Sequence, residues 1–133
     1  MRRELIGGGS ALVALSLLLP WWDDGYRVTA NGFHDWGWLS VVSLLLVVTL
    51  LTARRVAAVR ARLPEMSVRH SVVFMAGGAV EMLGAVAFWL SSDARITGSL
   101  RYGVVVCIAG GALTVAGGYA GLADSPAVFN GGR

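Results

Sequence analysis

Glu81 is the side chain around which the chemistry of this chain must be judged. It lies near the middle of an apolar run from Val72 to Leu90. A charged group at the centre of a bilayer costs at least ~2.5–3.5 kcal/mol, so such a residue suggests a function by default. Because ionisation away from water is unfavourable, we expect the carboxyl to be protonated and to donate a hydrogen bond. The predicted acceptor is Thr114, at a similar depth in the next apolar run, or a main-chain carbonyl at Gly110 or Gly111.

Two interpretations of Glu81 follow from its position. In the first, it is a proton- or cation-binding carboxyl in a small transport element. In the second, it is a neutral side chain that is hydrogen-bonded within the helices or to a partner subunit. No second ionisable residue lies inside an apolar run to continue a proton relay, which favours the structural interpretation.

The remaining residue patterns argue against catalysis and against a metal site. Asp23, Asp24, His34 and Asp35 are close in sequence, but their spacing is neither that of HExxH nor that of a calcium-binding loop. We predict solvated acids there, with Asp35 capping the next helix. The chain has no G-x-S-x-G, no phosphate-binding glycine loop, no paired histidines and no Cys/His arrangement. We therefore predict a protein that is not an enzyme and that uses no metal or cofactor.

The composition points to a membrane protein. Of the 133 residues, 56% are hydrophobic and 14% are charged, and the mean hydropathy is +0.66. An ordinary globular domain has about 25% charged residues. All eleven basic residues are arginines, and they flank apolar runs. Arginine in such positions is typical of orientation in a bilayer, so no nucleic-acid partner is predicted.

Four apolar runs predict four transmembrane helices in a single membrane domain, residues 1–133. The predicted helices cover about residues 5–22, 36–63, 71–92 and 102–123. The first run has ~18 residues, which at ~1.5 Å per residue give ~27 Å, close to the ~30 Å hydrocarbon core. It also resembles a signal peptide, but no small-x-small cleavage pattern follows it. The predicted fold is an all-α, antiparallel four-helix bundle.

The distribution of arginine predicts the orientation. With the N-terminus inside, the inner segments hold eight arginines and the outer loops, residues 23–35 and 93–101, hold three. This bias places both termini in the cytoplasm of a bacterial cytoplasmic membrane. The inner connector, residues 54–70, either contacts lipid headgroups or is solvated, and His70 is predicted to contact a headgroup. Its arginines are Arg54, Arg55, Arg60, Arg62 and Arg69.

Small residues predict how the helices pack, because close backbone approach does much of the work between helices in lipid. In the fourth helix they recur at intervals of four and three: Gly103, Cys107, Gly110, Thr114, Gly117 and Gly121. The third helix has Gly77, Glu81 and Gly84 at the same intervals. We predict that these two faces meet in a tight hairpin, with the first helix against it and the second more exposed to lipid. The same glycine faces could instead form a homodimer.

The first outer loop is rich in aromatic residues. Trp21, Trp22, Trp36 and Trp38 are predicted to form a belt at the outer headgroups. Asp24-Gly25 and Asn31-Gly32 are turn signals, which predict a short β-like hairpin between the belt residues. Exposed Trp, Tyr and Arg are enriched at protein interfaces. The loop, including Tyr26, is therefore the predicted docking surface.

Three motifs resemble those of a known group of proteins. They are Leu19-Pro20-Trp21-Trp22, then Asn31-Gly32-Phe33 with Trp36, and Ala116-Gly117-Gly118-Tyr119. In these motifs the chain resembles small four-helix membrane proteins of actinobacterial-type, high-GC genomes, whose function is uncharacterised. The resemblance implies the fold and the membrane, and it implies no activity. The first outer loop also resembles the claudin layout, but it lacks the claudin cysteine pair, so no claudin function is carried over.

These observations support two functional hypotheses. The first is an accessory subunit that packs on a larger membrane protein complex, or on itself, through the outer loop and the glycine faces. The alternative is a small proton- or cation-coupled transport element that uses Glu81.

Overall fold

The computed structural model describes residues 2–23, 29–33, 35–53, 67–91, 99–100 and 102–123. The helices are α1 (Arg2–Leu18), α2 (Gly37–Ala53), α3 (Ser67–Ser91) and α4 (Tyr102–Ala123). The strands are β1 (Pro20–Asp23), β2 (Thr29–Asn31) and β3 (Ser99–Leu100). The predicted mainly helical fold with four helices is therefore confirmed.

The ends of the helices differ from the predicted ones. The first helix ends at Leu18 and not at residue 22, because Pro20 cannot continue a helix and also drives the residue before it out of the helical region. The third helix begins at Ser67, so Arg69 is part of it and not of a connector. The second helix is described as far as Ala53. Its predicted continuation to residue 63 lies outside the described residues.

Close contacts between the helices show that neighbours run antiparallel. A methyl group on Gly9 of α1 would lie 2.6 Å from the carbonyl oxygen of Gly110 in α4. Further along the chain, Trp21 lies against Gly103, which precedes Gly110 in α4. In the α3–α4 pair, Gly78 lies against Gly111, and Met75, which precedes Gly78, lies against Gly118, which follows Gly111. These two helices therefore also run antiparallel.

The helix α4 therefore packs against both α1 and α3, and α2 packs mainly against α3 with a smaller contact with α1. Two serine hydroxyls of α2 donate hydrogen bonds to main-chain carbonyls of α3. Ser40 donates to Glu81 O over 2.9 Å, and Ser43 donates to Gly77 O over 2.7 Å. These bonds hold α2 close enough that a methyl group on Gly84 would lie 2.5 Å from Ser40 Oγ.

The glycine faces meet neighbours other than those predicted. Gly77 and Gly84 face α2, and Gly103 and Gly110 face β1 and α1. The α3–α4 contact is made by the next residue in each helix, Gly78 and Gly111. Successive residues of a helix point about 100° apart, so an adjacent glycine pair serves two neighbours. The spacing of small residues identified buried faces, but it could not say which helix lies against each face.

The three strands form one small sheet with the order β2-β1-β3. Both neighbours run antiparallel to β1: Pro20 pairs with Asn31, and Trp22 pairs with Leu100. The sheet therefore joins the segment after α1 to the segments before α2 and α4. The turn predicted at residues 24–25 lies outside the described residues, so the predicted hairpin stays a prediction. The pairing with β3 was not predicted.

Among the described residues, two helices are long and apolar enough to cross a membrane, by length and composition. They are His70–Leu90, within α3, and Tyr102–Ala123, with mean hydropathies of 1.8 and 1.7. The helix α2 is also apolar but has only 17 residues. Its outward side carries Leu39, Val42, Leu45 and Leu46, all exposed.

The contact of α1 with α4 gives a direct test of this packing. We expect Gly9→Ala to destabilise the protein by ~1–3 kcal/mol, because the added methyl group would overlap the Gly110 carbonyl, which cannot move away without separating the helices. Gly8→Ala is the matched control, since a methyl group there meets nothing within 4 Å. The measurement is thermal unfolding in detergent. Equal stability of the two variants would contradict the described α1–α4 contact.

Candidate functional site

Glu81 is fully enclosed by the bundle. It lies in α3 and has 0% of its surface exposed. Neither carboxyl oxygen has a hydrogen-bond partner among the residues that the structure describes. An unpaired polar group in an apolar interior carries a free-energy cost of ~1–3 kcal/mol, and an ionised one a much larger cost. A protein that retains such a group is expected to use it.

Each of the other three helices brings one small polar side chain to this region. They are Ser16 of α1, Ser40 of α2 and Cys107 of α4, and each has 0% of its surface exposed. Ser40 Oγ and Cys107 Sγ both approach the main-chain oxygen of Glu81, at 2.9 Å and 3.8 Å, and the thiol also interacts electrostatically with Ser16 and with the Glu81 carboxyl. We call these four residues the polar cluster.

The donors of the polar cluster are directed away from the carboxyl. The hydroxyl of Ser16 donates to Val13 O over 2.7 Å, and that of Ser40 donates to the main-chain oxygen of Glu81. The thiol of Cys107 is also directed at Glu81 O, with Sγ at 3.8 Å. Their protons are therefore directed at main-chain carbonyls. The oxygens of the two hydroxyls can still act as acceptors through their lone pairs.

No basic side chain of the described residues donates a hydrogen bond to the carboxyl, since neither of its oxygens has a partner there. Within the polar cluster, the Cys107 thiol interacts electrostatically with the carboxyl, and the two serine hydroxyls interact with Cys107. The site can therefore accept a proton or a cation, whereas it has nothing to stabilise a free carboxylate.

The predicted hydrogen bond between Glu81 and Thr114 is not formed. Thr114 is fully buried, as is Glu81, but its hydroxyl donates to Gly110 O over 3.1 Å. Its side chain faces α1, since a methyl group on Gly9 would lie 2.5 Å from Thr114 Oγ1. Thr114 follows Cys107 by seven positions, which is about two turns of helix, so the two side chains lie on the same face of α4 but at different heights along it.

Trp21 closes the bundle between the polar cluster and the sheet. Its indole Nε1 donates to Ser16 O over 2.7 Å, and its ring packs edge-on against Phe88, with 5.1 Å between the ring centroids. Trp21 was predicted to be an exposed belt and interface residue, but 0% of its surface is exposed. The early end of α1 explains the difference, because the strand turns this side chain inward onto Gly103.

The aromatic residues at the start of α2 are exposed. Trp36 and Trp38 have 53% and 55% of their surface exposed, and the Trp38 ring lies edge-on to Phe33 with 6.1 Å between the centroids. Trp22 is paired in β1, but its side chain, like Tyr26 as a whole, lies outside the described residues. Of this loop and the start of α2, the described aromatic residues that are exposed are Phe33, Trp36 and Trp38, which we call the aromatic patch.

The structure also places the remaining predicted residues. Gly117 and Gly121, at the C-terminal end of the α4 stripe, are buried. His70 is buried with 7% exposure, and so it does not reach a headgroup as predicted. The side chain of Arg69 and the whole of Arg54, Arg55, Arg60 and Arg62 lie outside the described residues, so lipid contact by these arginines stays a prediction.

No metal centre is found in the described part of the chain, where no three His, Cys, Asp or Glu side chains come together. Of the loop residues considered for a metal, Asp24 and His34 lie outside that part. Asp35 adopts a positive φ of 46°, a conformation in which Asp and Asn are enriched. Its carbonyl accepts a hydrogen bond from Trp38 N at 3.4 Å.

Sequence reasoning missed Ser16, Ser40 and Ser43 as functional residues. The available signal was a serine inside an otherwise apolar run, and Ser40 and Ser43 are spaced to share one face of α2. Serine is common in membrane helices, so this signal gains meaning only when the facing group is known.

Comparisons with protein families, with curated proteins and with solved structures found no match.

Proposed function

We propose that this chain is an integral membrane protein with four spanning helices and both termini in the cytoplasm. The length and hydropathy of α3 and α4 support this topology, as does the apolar outward side of α2. The sheet then lies on the outer side, where short segments between the helices come together. The excess of arginine in the inner segments gives the orientation.

Reporter fusions test the topology. A fluorescent reporter that folds only in the cytoplasm should be active when fused after Arg133, and alkaline phosphatase, which is active only outside, should be inactive there. The reverse pattern would contradict the proposed orientation. An odd number of spans would place the two termini on opposite sides.

We propose that the protein works as a small proton-coupled transport element whose proton-binding group is Glu81. The observation that carries this proposal is a fully buried carboxyl, neither of whose oxygens has a hydrogen-bond partner among the described residues. An intramembrane carboxyl that served only to hold helices together would be expected to donate to one of the acceptors around it. Glu81 has none of these bonds in the described structure.

The neutral carboxyl is the resting state in this proposal. Among the described residues, no donor contacts the carboxyl oxygens, so loss of the proton requires that water or another cation reaches the site. Trp21 and Phe88 close the route toward the sheet. Exchange of the proton must therefore be coupled to a movement of the helices.

The helix α2 is the element best suited to move. Its main neighbour is α3, and among the four helices it has the smallest packing interface. Ser40 links it directly to the Glu81 main chain, and Ser43 links it one turn further along. Separation of α2 from α3 would break these two hydrogen bonds and admit water to the polar cluster.

Proton flux into liposomes tests the role of Glu81. With a potassium diffusion potential and a trapped pH dye, the wild-type protein should pass protons faster than empty liposomes. We expect Glu81→Gln to reduce the flux to the empty-liposome rate, because an amide cannot carry a proton. Ser10→Ala is the control, since it removes a buried hydroxyl whose bond is to Ile6 O in the same helix. Wild-type flux in Glu81→Gln would contradict the proposal.

An accessory subunit is the second candidate function, and the aromatic patch favours it. Phe33, Trp36 and Trp38 are exposed side by side, next to the exposed apolar side of α2. Trp is enriched among residues that dominate binding to other proteins. The glycine faces of the helices do not support docking on a partner, because the glycines with described neighbours are covered by other segments of the same chain.

Co-purification in mild detergent tests this second function. A larger membrane protein should be recovered in a fixed ratio with the wild-type chain, and the double change Trp36→Ala and Trp38→Ala should reduce its recovery by on the order of tenfold or more. Leu45→Ala with Leu46→Ala is the matched control for loss of exposed apolar surface. Recovery of the chain alone from wild-type membranes would count against an accessory role.

A further inference from the structure

We propose that Trp21 is a gate that controls the access of water to Glu81 from the sheet side, the end of the bundle at which the three strands lie. The gate acts on the proposed proton site and therefore rests on that proposed function. Three features support it: the seat of the indole ring, an irregularity in β1, and the position of Cys107.

The indole of Trp21 is seated among the ends of three helices. Its Nε1 donates a hydrogen bond to Ser16 O in α1 over 2.7 Å, and its ring packs edge-on against Phe88 of α3. A methyl group on Gly103 of α4 would lie 2.5 Å from Trp21 Cδ1, so the ring fills the space that a side chain would take there. The ring therefore blocks the passage that these helix ends would otherwise leave between them.

An irregularity in β1 directs this ring inward. Pro20 pairs with Asn31 and Trp22 pairs with Ala30, so Trp21 is an extra residue between two successive pairs. Such bulges re-aim a side chain and are frequent beside functional sites. Here the bulged residue is fully buried, while its two neighbours stay paired in the sheet. A shift of β1 therefore moves the gate.

The sheet that carries the gate is small. In the described residues, β1 pairs with β2 over three residue pairs and with β3 over two. Few backbone hydrogen bonds hold pairings of this length, and such elements belong to the low end of local stability. The sheet can therefore be displaced while the helices stay folded, and the helix ends need to part only far enough to release the ring.

Cys107 lies behind the gate, on the way to the carboxyl. It follows Gly103 by four positions in α4, which is about one turn of helix, and it is fully buried. Its Sγ lies 3.8 Å from Glu81 O, and the thiol interacts electrostatically with the carboxyl. It is also the single cysteine of the chain. Water that reaches Glu81 from the sheet side therefore also reaches this thiol, which reacts when it is accessible and ionised.

Thiol labelling from each side of the membrane tests the gate. Right-side-out and inverted vesicles are treated with a charged, membrane-impermeant maleimide, and the Cys107 adduct of the purified protein is measured by mass spectrometry. The wild type should be labelled slowly from both sides. Trp21→Ala should be labelled faster from the sheet side, by on the order of tenfold or more, because labelling of an enclosed group follows the population of the open state. Labelling from the opposite side should stay at the wild-type rate.

Trp21→Phe is a second variant, so the test does not depend on the folding of Trp21→Ala. Phenylalanine keeps a ring in the seat but loses the hydrogen bond to Ser16 O. We expect a smaller acceleration from the same side. Thermal unfolding in detergent shows which variants are folded.

Phe74→Ala is the matched control, because it removes a buried ring about four turns of α3 away from Phe88. Phe74 has 2% of its surface exposed and belongs to a separate apolar cluster with Ile6 and Val47. This variant should leave labelling from the sheet side at the wild-type rate. Trp36→Ala, which removes an exposed ring of the aromatic patch, should do the same.

The side from which labelling accelerates separates a gate from a general loosening of the fold. Equal acceleration from both sides in the folded Trp21 variants would overturn the gate, and so would an unchanged rate. Equal acceleration from the sheet side in Phe74→Ala would also overturn it. The readout does not use the carboxyl, so these results leave the proton site standing. Conversely, wild-type proton flux in Glu81→Gln overturns the proton site and leaves one-sided labelling as evidence of a barrier.

Discussion

The close approach of three pairs of helices at glycine is the constraint on which the rest of the structure depends. Gly78 and Gly111 bring α3 and α4 together, Gly9 and Gly110 bring α1 and α4 together, and the contact of α2 with α3 is made through Gly84 and its neighbours. Larger residues at these positions would separate the backbones. Helices that gain little hydrophobic free energy from meeting in lipid would then lose much of their packing.

The polar cluster is a consequence of this close approach. Small residues leave room for a carboxyl, two hydroxyls and a thiol at the centre of the bundle, where bulkier apolar residues would otherwise fill the space. The serine hydroxyls donate hydrogen bonds to main-chain carbonyls. Ser40 and Ser43 thereby join α2 to α3, whereas the bond of Ser16 lies within α1. Ser40 therefore belongs both to the contact that holds α2 against α3 and to the polar cluster.

The sequence predicted the helices better than the contacts between them. Apolar runs located all four helices, and the interval of small residues in α4 identified buried positions from Gly103 to Gly121. The interval of small residues could not show which helix packs against which face. A helix with two neighbours carries two sets of small residues, and these look alike in sequence. Trp21 was placed outside because tryptophan is common at membrane interfaces, whereas Pro20 ends α1 early and turns the next residue inward. The two-residue strand β3 carries no sequence signal of its own, because its formation depends on β1 lying beside it.

The central claim is that Glu81 is a neutral carboxyl inside the folded bundle, and infrared spectroscopy tests it most directly. The difference spectrum of wild type minus Glu81→Gln, recorded at neutral pH, should show the C=O stretch of a protonated carboxylic acid. That band should shift on transfer to deuterated buffer only slowly, since the group is enclosed. A difference spectrum that shows the paired stretches of a carboxylate instead would contradict the account.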